Sequence, residues 1–170
     1  MLAFDDFIRS NYSSFESTID IWKKEADLCL DFSNINGKSG MDEKYLKDSL
    51  NLIQNEILWI KNNKNKIEDL LLEENILELA ENIVSSGHFL RCADEECYLL
   101  DDGYKVDFPI TEENFVDSLY IESISINFNI KNVDSTELTL LCSPDYFNGR
   151  SFVIIIDKNK NIQFKGLEDK

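Results

Sequence analysis

Residues 121–130 read Ile121-Glu-Ser-Ile-Ser-Ile-Asn-Phe-Asn-Ile130, and their period of two decides the fold. Ile124, Ile126, Phe128 and Ile130 fall on one side and Ser125, Asn127 and Asn129 on the other, the pattern of a strand with one face on a core and one toward water. Two further strands follow at Glu137–Cys142 and Ser151–Asp157. The second contains Phe152-Val-Ile-Ile-Ile156, apolar enough to be central and buried on both faces. Ile162-Gln-Phe-Lys165, reached through Lys158-Asn-Lys160, reads as a last strand. Residues 121–166 therefore form a C-terminal β-meander.

Upstream the period changes. Thr111 to Leu119 reads as a short helix: Thr111 can cap it, Glu112 and Glu113 sit in the first turn where the helix dipole favours acids, and Pro109 lies outside. Phe115 and Leu119 then share one face. Between Met41 and Ser86 apolar residues recur at helical spacing, through Leu46, Leu50, Ile53, Ile57 and Ile60, then Ile67, Leu70 and Leu71, then Ile76, Leu79, Ala80 and Ile83. Breaks are expected near Asn62-Asn63 and Glu73-Glu-Asn75, because asparagine suits caps better than helix interiors. Ser85-Ser-Gly87 ends the run.

Further toward the N-terminus, residues 15–32 alternate twice around the polar Lys23-Lys-Glu25 and read as a hairpin. Residues 33–40 have the composition of a loop. Residues 1–14 read as a short helix that buries Leu2, Phe4, Phe7 and Ile8. The stretch 88–109 holds irregular structure or short strands, with a tight turn at Asp101-Asp-Gly103. Hairpin, helices, short helix and meander, in that order within 170 residues, predict one α+β domain: an antiparallel sheet with a helical layer packed on one face.

The charge narrows the partners. The chain carries 33 acidic against 17 basic residues, a formal charge of −16. This opposes any sequence-independent grip on phosphate backbones or anionic lipid and favours encounter with a basic protein. No segment approaches the ~18 apolar residues of a membrane span. Asp5 and Asp6 stand where a signal peptide has its basic head. Cys29, Cys92, Cys97 and Cys142 are too few and too dispersed for a disulfide scaffold, so all four are expected as structural thiols and the compartment as the reducing cytoplasm.

Chemistry has little foothold. His88 is the sole histidine, which rules out a two-histidine metal face; as a base it lacks a nucleophile and an orienting group. Cys92 and Cys97 enclose four residues with no second pair to complete a zinc site. Asp157 to Glu168 imitates a calcium loop, yet Ile162 occupies the sixth place, which calls for glycine, so a strand-to-strand turn is expected. Trp22 and Trp59 lie in apolar patterns and are expected in the core. No catalytic residue, metal or cofactor is expected. The acidic cluster Asp94, Glu95, Glu96, Asp101 and Asp102, flanking Tyr98 and Tyr104, forms the candidate surface for a basic protein, with the tyrosines as anchors.

Several stretches carry a resemblance: Trp59-Ile-Lys-Asn with Lys66-Ile-Glu-Asp-Leu-Leu71, Ile110 to Ile126 around Phe115, and Asp145-Tyr-Phe-Asn-Gly-Arg-Ser-Phe-Val-Ile154 with its Phe147, Gly149 and Ser151, closing at Gly166. On these the chain, from about Phe15 to Gly166, resembles the bacterial family called domain of unknown function 2262. Its members commonly show Gly-His-Ser where this chain has Gly149-Arg150-Ser151, so any chemical role of that histidine is missing. The resemblance brings no established activity. Proteins like this one occur among presumed immunity proteins encoded beside toxins, which implies a non-catalytic module covering a basic toxin. The alternatives are a small-ligand or hydrolytic site in a carboxylate pocket around Asp101, Asp102 or Asp145, and a structural or assembly component.

Overall fold

The alternating stretch around Ile124 lies at the centre of the molecule. The computed structural model describes residues 2–11, 13–32, 43–92, 95–129 and 132–169, the side chains of residues 91, 92 and 95 excepted. The expected loop at 33–40 and Asp94 lie outside these residues. Strand β1 is Ile8–Arg9, β2 Ser14–Ile21 and β3 Lys24–Asp31. Three helices follow, α1 (Glu43–Asn62), α2 (Lys64–Glu73) and α3 (Ile76–Ser85). A small sheet is made of β4 (His88–Cys92), β5 (Glu95–Leu99) and β6 (Lys105–Asp107). The short helix α4 (Glu112–Ser118) leads into β7 (Leu119–Phe128), β8 (Val133–Cys142), β9 (Ser151–Asp157) and β10 (Ile162–Glu168).

The main sheet has the order β1-β2-β3-β7-β8-β9-β10. It is mostly antiparallel, and the N-terminal hairpin joins the C-terminal meander through a parallel pairing of β3 with β7. Parallel neighbours need a long crossover. Here that crossover holds the helices and the small sheet. The class is α+β.

The helices form because their apolar residues make one stripe. Leu46, Ile53, Ile57 and Ile60 of α1, Ile67 and Leu71 of α2, and Ile76, Ala80 and Val84 of α3 are all buried. They meet Leu28 and Leu30 of β3, Ile124, Ile126 and Phe128 of β7, Leu138 and Leu140 of β8, and Phe152, Ile154 and Ile156 of β9 in one cluster. Asn63 separates α1 from α2, its Nδ2 donating to the Trp59 carbonyl at 2.8 Å. Asn75 separates α2 from α3 at φ +58°, a left-handed conformation that asparagine tolerates. Thr111 Oγ1 accepts the Asn114 N–H at 3.1 Å and caps α4, whose Phe115 is fully buried.

Two stretches differ from the sequence reading. In place of a helix over residues 1–14, Phe4–Asp6 make a 3-10 turn and Ile8–Arg9 a strand. Asp6 accepts the Ala3 N–H at 2.7 Å and Arg9 pairs with Phe15, so local capping and ladder bonds replace the helix. The β2–β3 turn is Trp22-Lys23, one residue ahead of Lys23-Lys-Glu25, with φ +47° and +70°. A two-residue hairpin turn of this hand favours glycine. Lys23→Gly is expected to raise stability by about 0.5–1 kcal/mol, since it removes the left-handed penalty. The Lys23–Asp117 pair it sacrifices spans 3.8 Å with both side chains exposed, and such pairs contribute little. A higher urea midpoint at unchanged slope checks this; a lower midpoint contradicts it.

Candidate functional site

The helices cover one face of the sheet, and the strand registers show what the other face carries. Ser14 to Ile21 alternate, so Phe15, Ile19 and Ile21 enter the core while Glu16, Thr18 and Asp20 face away. On β3 the same rule sends Glu25, Asp27, Cys29 and Asp31 outward. Register then assembles three rows. Thr18 lies beside Asp27, Ser123, Thr139 and Val153; Glu16 beside Cys29, Ser125, Glu137 and Ile155; Ser14 beside Asp31, Asn127, Ser135 and Asp157. The middle is a ladder of hydroxyls and amides, in which Asn127 Nδ2 donates to Ser135 Oγ at 3.3 Å. Carboxylates surround it: Glu16, Asp20, Glu25 and Asp27 on the hairpin, Asp31 beside Asn127, Glu137 on β8.

Among the described residues, few cations lie on this face. Lys165 lies at its far edge, where Nζ donates to Gln163 at 3.0 Å. The field is felt by Cys29, whose thiol is pushed up first by burial and then by Glu16 and Asp31. Beside this thiol a cavity of about 740 Å³ opens, with Asp6, Ile8, Glu16, Thr18 and Asp27 in its wall. Like charges held on one rigid surface create a negative potential that favours guanidinium and ammonium groups. What the arrangement offers chemically is electrostatic attraction of cations.

The residues singled out in the sequence are placed differently. Asp94 is outside the described residues, as is the side chain of Glu95. Glu96, Asp101, Asp102 and Tyr104 are exposed on the small sheet. Tyr98 is half-buried, its ring edge-on to Phe89 and Phe108 at 5.6 and 5.4 Å. Asp102 accepts the Tyr104 N–H at 3.0 Å and the Asp145 N–H at 3.1 Å. Asp145 in turn accepts from the Phe147 and Gly149 amides at 3.1 and 2.6 Å. Asp102 and Asp145 thus meet, as braces between two loops. Gly149, at φ +82°, lets the Asp145 loop close on itself. Phe147 is buried edge-on to Phe152 at 4.7 Å, Ser151 is buried at the start of β9, and Gly166 sits at a bulge in β10. The motif residues shape the fold and do not converge on one site.

The calcium-like stretch is a turn. Asp157 accepts the Asn159 and Asn161 amides at 2.7 and 2.9 Å and the Asn161 side chain at 2.8 Å, and these bonds, the Asn161 side chain first, hold its carboxyl below the usual range. His88 is exposed at the start of β4. The expectation of four thiols is corrected at Cys97, which is disulfide-bonded, whereas Cys29 and Cys142 are free. The side chain of Cys92 lies outside the described residues. Among the described residues no helix is long and apolar enough to cross a membrane.

Sequence reasoning missed a buried charge. Glu56 of α1 is 3% exposed; it accepts from Thr136 Oγ1 at 2.9 Å and pairs with Lys160 Nζ. Lys160 has φ +68° and lies 5.2 Å from the centre of the Trp59 ring. The signal was present: Glu56 stands three residues after Ile53 and four before Ile60, on the apolar stripe.

At the other end of β8 burial pushes the Cys142 thiol up to about 12, against a partly compensating bond with Ser118 and with Asp145 adding to the rise. Burial, then Cys142, likewise raises the Tyr146 hydroxyl to about 12. Above pH 9 the unfolded thiol ionises while the folded one stays protonated, so stability is present below pH 9 and falls as pH rises toward 12. Urea midpoints measured across this window are expected to fall, less steeply in Cys142→Ala; equal slopes in both would contradict the assignment.

A family model described as an uncharacterized protein conserved in bacteria, DUF2262, matches residues 4–167. No curated protein and no solved structure matches the chain.

Proposed function

The chain belongs to this bacterial family, domain of unknown function 2262, and we propose that it is a non-catalytic binding module whose acidic sheet face holds a basic protein. One observation carries the reading: Glu16, Asp20, Glu25, Asp27, Asp31 and Glu137 point outward from adjoining strands of one sheet. A rigid surface charged in this way raises association rates and rejects acidic partners. An immunity protein that covers the basic active site of a toxin is the biological form of this chemistry. The exposed Asp101, in the turn between β5 and β6, extends the same preference. A carboxylate pocket for catalysis has less support, because Asp102 and Asp145 spend their oxygens on backbone amides.

Capture from a lysate of the native host tests the proposal. Wild type is expected to retain a basic protein at low ionic strength and to release it at about 0.5 M salt, where the Debye length falls to a few ångströms. Neutralising Glu16, Asp27, Asp31 and Glu137 to their amides should abolish capture. Neutralising Glu73, Glu74, Glu112 and Glu113, all exposed on helices or helix ends, changes the net charge equally and should preserve it. Equal capture by both variants, or capture indifferent to salt, would sink the proposal.

A further inference from the structure

We infer that the open edge of β2 takes up an extended, basic segment of the partner as an added strand. The inference rests on the partner reading above and specifies how that partner is gripped. Strand β1 covers only part of β2, pairing Ile8 with Glu16 and Arg9 with Phe15, whereas β2 continues to Ile21. The direction of the remaining backbone groups follows from two bonds. The Ser14 carbonyl accepts from Ser10 N–H at 3.1 Å on the β1 side, and the Ser13 carbonyl accepts from Phe32 N–H at 3.0 Å on the β3 side. Backbone groups alternate along a strand. Thr18 and Asp20 therefore present N–H and C=O outward beyond the end of β1, and among the described residues no backbone group pairs with them.

The opposite edge of the sheet is treated differently. Strand β10 carries a bulge between Phe164 and Gly166 and an exposed Lys165, two devices that discourage added strands. The β2 edge has acids in their place. Two cavities border it and share Leu2, Asp6 and Thr18: one of about 740 Å³ toward the open face, where Glu16 and Asp27 stand, and one of about 630 Å³ toward the helices, where Leu58 stands. Leu58 is 55% exposed on α1.

An added strand would send alternate side chains into the two cavities. Those on the open-face side meet carboxylates, which select lysine or arginine. Those on the helix side meet Ile57 and Leu58 with Lys61 beside them, which favours an apolar residue over a second basic one. The occupant is therefore a segment in which basic and apolar residues alternate, held by main-chain bonds to Thr18 and Asp20 and chosen by charge.

Amide-resolved NMR of the full chain, titrated at low salt with a synthetic peptide of about eight alternating lysine and valine residues, tests this. The Thr18 and Asp20 amides are expected to shift and to exchange with solvent more slowly. Methylating alternate backbone nitrogens of the peptide, which keeps its charge and blocks the ladder, should weaken binding at least tenfold. A peptide with glutamate in place of lysine should not bind. Equal binding of the methylated peptide, or shifts at Ser125 and Glu137 with Thr18 and Asp20 unmoved, would overturn strand addition while leaving the acidic-face reading standing. Absence of binding by the lysine peptide would also overturn it, whereas the acidic-face reading fails or survives on the capture experiment.

Discussion

Replacing Lys160 by methionine is expected to cost about 2–4 kcal/mol, because it leaves a buried carboxylate without its cation. Glu56 retains only 4% side-chain exposure, and Lys160 supplies its charge partner from the β9–β10 turn. Removing one member of a buried pair is far costlier than replacing both, since the desolvated charge is stranded. The upper end of the range for such pairs does not apply, as the Lys160 side chain is 33% exposed and water reaches it. Two further variants separate the contributions. Adding Glu56→Gln to Lys160→Met should recover much of the loss. Lys160→Gly should lose about 1 kcal/mol less than Lys160→Met, because Lys160 occupies the left-handed region that glycine enters freely. Urea unfolding reads all three. A Lys160→Met loss below about 1 kcal/mol would show that Glu56 draws its solvation from water.

Phe128→Ala should cost about 3–5 kcal/mol, the usual penalty for emptying a buried phenylalanine site. Phe128 is 1% exposed and stacks on Phe32, with ring centroids 4.4 Å apart and planes 12° from parallel. Phe32 in turn takes the Phe15 ring edge-on at 6.1 Å. This row of rings crosses the parallel junction between β3 and β7, where the N-terminal hairpin meets the meander. Such junctions are slightly weaker per residue than antiparallel ones, so the aromatic row stabilises the union of two chain-distant halves. A double-mutant cycle with Phe32→Leu and Phe128→Leu should return a coupling of about 0.5–1.5 kcal/mol. A loss under about 1.5 kcal/mol for Phe128→Ala would mean that the site collapses and the row is not a joint. Folded domains have only about 5–15 kcal/mol to lose, so either Lys160→Met or Phe128→Ala weakens the protein substantially.

The alternation from Ile121 to Phe128 was legible because one face of β7 is buried and the other wet. The helical stripe was legible for the same reason, and Asn63 and Asn75 marked its breaks through their side chains and backbone tolerance. The parallel β3–β7 pairing was not legible, since nothing local states which distant strand lies beside β7. The N-terminal residues misled because Leu2, Phe4, Phe7 and Ile8 satisfy a helical spacing as well as the 3-10 turn and strand they adopt. The acidic face was hidden in plain view. Each strand displayed its outward residues, but Glu16, Asp31 and Glu137 became neighbours on one surface only through the register, whereas the sequence drew attention to the contiguous run at Asp94 to Asp102. Glu56 was overlooked because a glutamate in a helix is usually solvated; its place between Ile53 and Ile60 was the clue.

The association rate of the captured basic partner with the full chain, followed by stopped flow from about 0.05 to 0.5 M salt, tests the central claim most directly. A face of fixed carboxylates predicts a rate that falls at least tenfold across this range, and a slow, nearly salt-independent rate once Glu16, Asp27, Asp31 and Glu137 are neutralised. A rate that ignores salt in the wild type, or that is the same in the neutralised variant, would contradict it.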